Sequence, residues 1–239
     1  MNGNREANVI YLVRHGETTW NRVGRRQGHN DSPLTELGIE QARAAGRVLQ
    51  RAIADIHNVC IETSPLGRAR QTALIVGEIL GLDPNEILVA PLLIEHHLGN
   101  WQGLTHAEID ARYRGALQAR EEHKWDYVVP GGESYALVAE RASQWLGSKR
   151  HAPITIAVTH AIISRTIQGP TEDSRRVRQW LGPIVKIEST VCMLVGLRRC
   201  RATANVSFSL RDTTHLTAFV RTEHLDIPYY HVSREGRDP

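Results

Sequence analysis

Cysteine is scarce in this chain of 239 residues: there are three, Cys60, Cys192 and Cys200. An odd number without CxxC spacing argues against a disulfide framework and against a cysteine zinc site. Cys60 and Cys192 each sit inside an apolar run and read as small buried hydrophobes in a reducing compartment. Long hydrophobic runs are missing as well. No stretch approaches the roughly 20 residues of a membrane span or the apolar region of a signal peptide, and the opening MNGNREAN is polar. The expectation is a cytoplasmic protein with no membrane partner. No Lys/Arg tract is long enough, or interleaved with aromatics, to suggest nucleic acid as a partner. Arg198, Arg199 and Arg201 form only a short cluster that reads as a solvated turn. Repeats and low-complexity segments are absent too. The net charge of +3 suits anionic small molecules without selecting any.

What is present is enough apolar residue, 41% against 23% charged, to bury one sizeable core. Residues 1–239 therefore read as a single α/β domain, with residues 1–7 and 233–239 as flexible ends. Strands and helices alternate. Asn8 to Val13 is the first strand. Thr35 precedes a long helix opening near Leu37, with Ala44, Val48 and Ala52 on its apolar pattern. Val59 to Glu62 is the second strand. Pro65 starts a helix whose buried face is Leu66, Ala69, Ala73, Val76 and Leu80, and Gly81 stops it. Ile87 to Val89 is a third strand, Thr105 to Arg120 a pair of short helices, and Ser134 to Leu146 a longer one. Ile154 to Val158 is the most hydrophobic strand, followed by a helix from Ala161 to Ile167. Val191 to Val195 and Val206 to Leu210 read as further β segments. The first of these is either an edge that pairs with a second copy, giving a homodimer, or a strand covered by the C-terminal segment.

Two strands end on a histidine: His15 follows Val13 and Arg14, and His160 follows Val158 and Thr159. In open α/β sheets the carboxyl ends of the strands are where ligands bind. Gly16 permits a sharp backbone exit after His15. An arginine fork beside an imidazole suits a phosphoryl group, because the guanidinium neutralises its oxygens while a ring nitrogen attacks phosphorus.

These residues resemble the histidine phosphatase superfamily, the phosphoglycerate-mutase-like enzymes, whose hallmark is an Arg-His-Gly triplet closing the first strand. The likeness recurs in order along the chain: LVRHGETTWN, then Leu34 to Gly38 leading a helix, TSPLGRARQTA from Thr63, and Glu95 with Gly99 to Leu104. PGGES from Pro130, Thr159-His160 and Asp212 to Leu216 follow. The resemblance implies a three-layer α/β/α sandwich around a mostly parallel central sheet. It also implies that His15 becomes phosphohistidine, that Arg14 and Arg68 clamp the phosphoryl group, and that His160 donates to one of its oxygens. Glu95, in the Glu-x-x-x-Gly-x-x-x-Gly pattern with Gly99 and Gly103, would serve as general acid and then base. Asn21, Gln27 and Gly28 fall where relatives line the phosphate pocket with amide and backbone donors, and Ala161 stands where many have glycine. Glu133 and Ser134 also match, as supporting residues or as a helix cap. Arg70 reads as a surface group. No metal and no cofactor is required, since two arginines and two histidines supply the donors; Glu95-His96-His97 is not a standard zinc spacing.

Departures separate phosphatase from mutase. His96 replaces the arginine, and His106 the lysine, of the cofactor-dependent mutases. Their further basic pair and Pro-rich insertion are missing between Arg112 and Pro130, where Tyr113, Trp125 and Tyr127 stand instead. A pocket without those clamps would admit water, so the expected function is a phosphomonoesterase acting on a small phosphorylated metabolite. The alternatives are a mutase-type phosphoryl transfer and a silent phosphate-ligand binding protein, the latter resting on Ala161 and His96. The segment 98–127, which would select the leaving group, does not disclose the substrate.

Overall fold

The computed structural model describes residues 8–147, 152–168, 184–186 and 191–196. Four strands run parallel: β1 (Asn8–Arg14), β2 (Val59–Thr63), β3 (Leu88–Val89) and β4 (Ile154–Thr159). β5 (Ile184–Lys186) and β6 (Val191–Gly196) extend the sheet, with β6 antiparallel to both neighbours, in the order β3-β2-β4-β1-β6-β5. The helices are α1 (Thr19–Arg22), α2 (Glu36–Ala52), α3 (Gly67–Leu80), α4 (His106–Arg112), α5 (Ala116–Glu122), α6 (Tyr135–Gly147) and α7 (Ala161–Gln168).

The centre of the sheet is covered on both faces. Ile10, Tyr11, Leu12 and Val13 are all 5% exposed or less, although successive side chains of a strand point to opposite sides. Ile10 and Leu12 join Ala157 of β4 against Val138, Ala142 and Trp145 of α6 and Ile163 and Ile167 of α7. Each full burial of this kind is worth about 1.5–3 kcal/mol. On the other layer α3 packs on β2 and β4, and α2 packs on α3. The result is the expected three-layer α/β/α arrangement.

Local signals explain the boundaries. Thr35 Oγ1 accepts from Gly38 N at 3.0 Å and caps α2. Gly81, at φ +73°, closes α3 in the left-handed conformation. Three expectations need correction. The buried face of α2 is Gly38, Ala42, Ala45, Gly46 and Leu49, while Ala44 and Val48 are half-buried and Ala52 is exposed. Small residues lie inside because α2 approaches its neighbours closely: a Cβ on Gly46 would sit 2.9 Å from Ile79. The strand from Val191 lies between β1 and β5, so it is not an edge that could pair with a second copy. Cys60 is half-buried rather than buried.

Among the described residues no helix is long and apolar enough to cross a membrane. The block Asp212 to Leu216, the segment Val206 to Leu210, the Arg198 to Arg201 cluster, Cys200 and both chain ends lie outside the described residues.

Candidate active site

Adjacent parallel strands bring the two histidines together. Arg14 of β1 is in register with Thr159 of β4, and His15 N donates to Thr159 O at 3.0 Å. β2 flanks β4 on its other side, where Ser64 N donates to Val158 O at 2.9 Å. Three consecutive strand ends thus deliver Ser64, His160 and His15 in a row, with the His15 and His160 ring centroids 5.1 Å apart.

Gly16 is required for close approach rather than for its backbone angle. A Cβ there would lie 2.1 Å from the carbonyl oxygen of Gly38, so the loop after β1 could not rest on the start of α2. The Gly16 carbonyl in turn accepts from His15 Nδ1 at 2.7 Å. A carbonyl only accepts, so the neutral ring carries its hydrogen on Nδ1 and its lone pair on Nε2. Arg68 Nε donates to that Nε2 at 3.3 Å. Burial, and after it the Arg68 charge, lowers the His15 pKa from the usual 6.5 to about 3.

Arg68 is held almost entirely by backbone and Asp31. Its Nη1 donates to Asn30 O and Asp31 Oδ1, both at 2.9 Å, and its Nη2 to Gly28 O at 2.8 Å. Gly28 therefore orients the arginine through its carbonyl. It sits at φ +57°, and a Cβ would meet Gln102 Oε1 at 2.5 Å, so only glycine fits there.

His160 is fully buried and its Nε2 lies 2.7 Å from Ser64 Oγ, which also accepts from Leu66 N. Among the described residues the Ser64 hydroxyl hydrogen has no other acceptor, so Nε2 receives it. The ring's proton then stands on Nδ1, which has no protein partner. Burial, with His15 and Arg68 nearby, holds the His160 pKa well below its usual value.

Both imidazoles are thus neutral when folded, whereas an unfolded histidine titrates near 6.5. Between pH 6.5 and about 3 the unfolded chain binds more protons, so the stability contributed by neutral burial is lost as pH falls through that window. His15→Asn removes its share. Its Tm should gain on wild type by about 4 °C or more between roughly pH 7.5 and pH 5; a pH-independent difference in thermal melts would contradict the neutral assignment.

The Glu95 carboxylate accepts from three backbone amides: His96 N at 2.9 Å, Ile162 N at 3.2 Å and Ile163 N at 3.4 Å. Two of these belong to the first turn of α7, where the helix dipole favours the ionised form. Burial outweighs them, and the Glu95 pKa is raised above its usual 4.5. The loop is tied down by Glu133, whose backbone carbonyl accepts from His96 Nε2 and whose carboxylate accepts from His97 N. His96, 1% exposed, is thereby a buried strut, and Ser134 Oγ accepts from Leu137 N to cap α6.

These groups surround a cavity of about 520 Å³. Of the residues expected at the site, Arg14, His15, Asn21, Gln27, Gly28, Arg68, Glu95 and Ala161 line it; the fully buried His160 does not, though its ring centroid lies 5.1 Å from that of His15. Arg14 is exposed to the cavity. The Asn21 carbonyl is committed to Thr18 N and Oγ1, and that of Gln27 to Ser32 Oγ, which leaves their amide nitrogens as donors. Ala161 is the first residue of α7, where φ is negative, so its methyl costs no backbone strain. Arg70 is exposed, as expected.

Other lining residues were not anticipated. Arg26, Arg120, Arg165 and His106 also face the cavity, so lacking the mutases' basic pair does not leave it without further basic groups. Arg165 follows Ala161 by four residues, a helical spacing legible in sequence. Ser64 stands inside a matched block, and Asp31 between two of them. Arg120 carries no local signal, because the packing of α5 alone brings it in.

At one end of the parallel strands the fold brings together two imidazoles, the guanidiniums of Arg14 and Arg68, and the buried carboxyl of Glu95. The family model of the histidine phosphatase superfamily (branch 1) matches residues 10–190, and the chain belongs to that superfamily. By family it is a histidine phosphatase. A protein of Arabidopsis thaliana named metal-independent phosphoserine phosphatase is 36% identical over 68% of each chain. The glucosyl-3-phosphoglycerate phosphatase of Mycobacterium tuberculosis is 44% identical, but the match spans only 57% of each chain. The structure of such a mycobacterial enzyme with VO3 superposes at a TM-score of 0.59, with 35% identity, over 71% of this chain and 87% of that one. A probable phosphoglycerate mutase of Photorhabdus laumondii is 38% identical over 71% of this chain and 79% of its own.

Proposed function

We propose that the chain is a phosphomonoesterase for small molecules, working through a phosphohistidine at His15. The observation that carries this reading is the His15 ring itself. Gly16 O fixes its hydrogen on Nδ1, burial keeps it neutral, and the Nε2 lone pair faces Arg68. A neutral imidazole with an aimed lone pair is a nucleophile at any pH above about 3.

In the first step His15 Nε2 attacks phosphorus as the bond to the ester oxygen breaks. Arg68 Nε–H turns from Nε2 to a phosphoryl oxygen, joined by Arg14 and the His160 Nδ1–H. Charge spread over these oxygens is what the site must stabilise, since the transition state is loose. Protonated Glu95 delivers its proton to the departing alkoxide. In the second step Glu95, now a carboxylate, takes a proton from water, the oxygen attacks phosphorus, and the Nε2–P bond breaks to leave inorganic phosphate and neutral His15. A carboxyl whose pKa is pushed up by burial and pulled down by amides suits both roles.

The test is phosphate release from 4-nitrophenyl phosphate, with and without EDTA, by wild type and His15→Ala. Release that resists EDTA and requires His15 is expected; a folded wild type that releases none contradicts the reading. The mutase alternative draws on the additional cations in the cavity and on the mutase-named relative. It would be preferred only if phosphoglycerate isomers interconvert, in the presence of bisphosphoglycerate, faster than phosphate is released.

A further inference from the structure

Glu95 stands on backbone that no regular element supports. Residues 94–98 belong to neither helix nor strand, so the place of the carboxyl depends on what grips the chain from outside. Three amides hold its oxygens, and its peptide carbonyl is held as well, from two sides. His29 Nε2 donates to Glu95 O at 2.7 Å, and Arg141 Nη2 donates to the same oxygen at 3.1 Å.

The contacts of Arg141 converge on this loop. The same Nη2 donates to Ile94 O at 3.1 Å and to Glu133 Oε2 at 3.3 Å, so its two hydrogens are shared among three oxygens. Glu133 Oε2 in turn accepts from His97 N at 2.8 Å, and Glu133 N donates to His97 O at 2.9 Å. One guanidinium therefore reaches Ile94 and Glu95 directly and His97 through Glu133. The Arg141 side chain is 14% exposed and that of Glu133 25%; charges withdrawn this far from water are unfavourable unless good hydrogen bonds offset the desolvation. Arg141 lies on α6, whose Val138, Ala142 and Trp145 pack with Ile10 and Leu12 of β1 and Ala157 of β4. The strands that carry His15 and His160 and the loop that carries Glu95 thus share one helix as their reference. Neither Arg141 nor Glu133 lines the cavity.

We propose that Arg141, anchored by Glu133, is a positioning residue for the proton donor: it holds the Glu95 backbone so that the carboxyl meets the leaving-group oxygen. The proposal rests on the reading that Glu95 supplies that proton. Proton transfer needs heavy atoms within about 2.6–3.2 Å, and a displacement of about 1 Å can cost on the order of a hundredfold in rate. A lysine would keep the charge but carry it on a flexible stem, whereas the guanidinium is planar and pre-organised.

The test compares kcat/KM for 4-nitrophenyl phosphate with that for phenyl phosphate, whose phenolate is the poorer leaving group and needs the proton more. This ratio reports the steps up to P–O cleavage, so hydrolysis of the phosphoenzyme does not enter. Arg141→Lys and Glu133→Gln should each lower the value for phenyl phosphate by about tenfold or more, and that for 4-nitrophenyl phosphate by less than about threefold. Added to Glu95→Gln, either should produce no further loss on phenyl phosphate, because the group it positions is gone. A merely structural role would lower both esters alike and would add to the Glu95 effect. Equal losses on both esters, no loss on either, or additivity with Glu95→Gln overturns the proposal. Glu133 is the more exposed of the pair, so its variant keeps the test valid if Arg141→Lys fails to fold. Failure of the acid reading shows separately, since Glu95→Gln alone would then treat the two esters alike.

Discussion

His15→Ala lowers turnover of any phosphomonoester by a factor on the order of 10⁵ or more, a loss typical of removing an enzyme's nucleophile. The expected loss is large because none of the described groups beside His15 is placed to replace Nε2. His160 Nε2 is tied to Ser64 and its remaining nitrogen carries a proton; Arg14 and Arg68 cannot attack. Water could still attack a phosphoryl group held by Arg14, Arg68 and His160, and that residual rate is what the variant should show. Because His15 is neutral at all working pH values, the acid limb of the wild-type profile should lie near pH 3. Steady-state assays of both proteins across pH check both points. A variant that keeps more than a hundredth of wild-type activity would exclude His15 as nucleophile.

Glu95→Gln should distinguish esters by their leaving groups. Alkyl phosphates need a proton on the departing oxygen, so their turnover falls by about 10²–10⁴. An aryl ester such as 4-nitrophenyl phosphate leaves as a stable anion, so its first step continues. The second step has lost its base, and phosphoenzyme accumulates. Stopped-flow absorbance should therefore show one equivalent of 4-nitrophenolate released quickly, followed by a slow steady state. In wild type the alkyl-ester rate declines as pH rises through the Glu95 pKa, which burial sets above 4.5; the variant loses that limb. Equal losses on both esters, with no burst, would contradict the acid–base role.

Much of this geometry was legible because the chemistry sits where strands stop. The apolar runs of β1 and β4, each closed by a histidine, identify the strand ends, while Thr35 and Gly81 punctuate the helices that follow; the helix expected from Pro65 opens instead at Gly67, with Leu66 as its half-buried N-cap rather than part of its inner face. The adjacency of β1 and β4 is less direct, since the two strands are far apart along the chain and only the sheet joins them. Pattern reading failed where burial is achieved by small residues. The inner face of α2 contains Gly38, Ala42, Ala45 and Gly46, and an apolar-period search favours the larger Val48 beside them. It failed again with Gly16, whose value lies in a contact with Gly38 that no local sequence states. The additional cations were invisible for a similar reason. Arg26, Arg120 and Arg165 are scattered over three segments, and only the tertiary fold turns them toward one cavity. Absence of a mutase-type basic pair in the sequence was therefore not absence of positive charge in the pocket.

The most direct test is to trap the covalent intermediate. Wild-type protein is mixed with excess 4-nitrophenyl phosphate, quenched in alkali, where phosphohistidine survives, and digested for peptide mass spectrometry. The expected result is a single phosphoryl group on the peptide bearing His15, absent from His15→Ala. Turnover without any phosphorylated peptide, or with the phosphoryl group on another residue, would contradict the phosphohistidine mechanism.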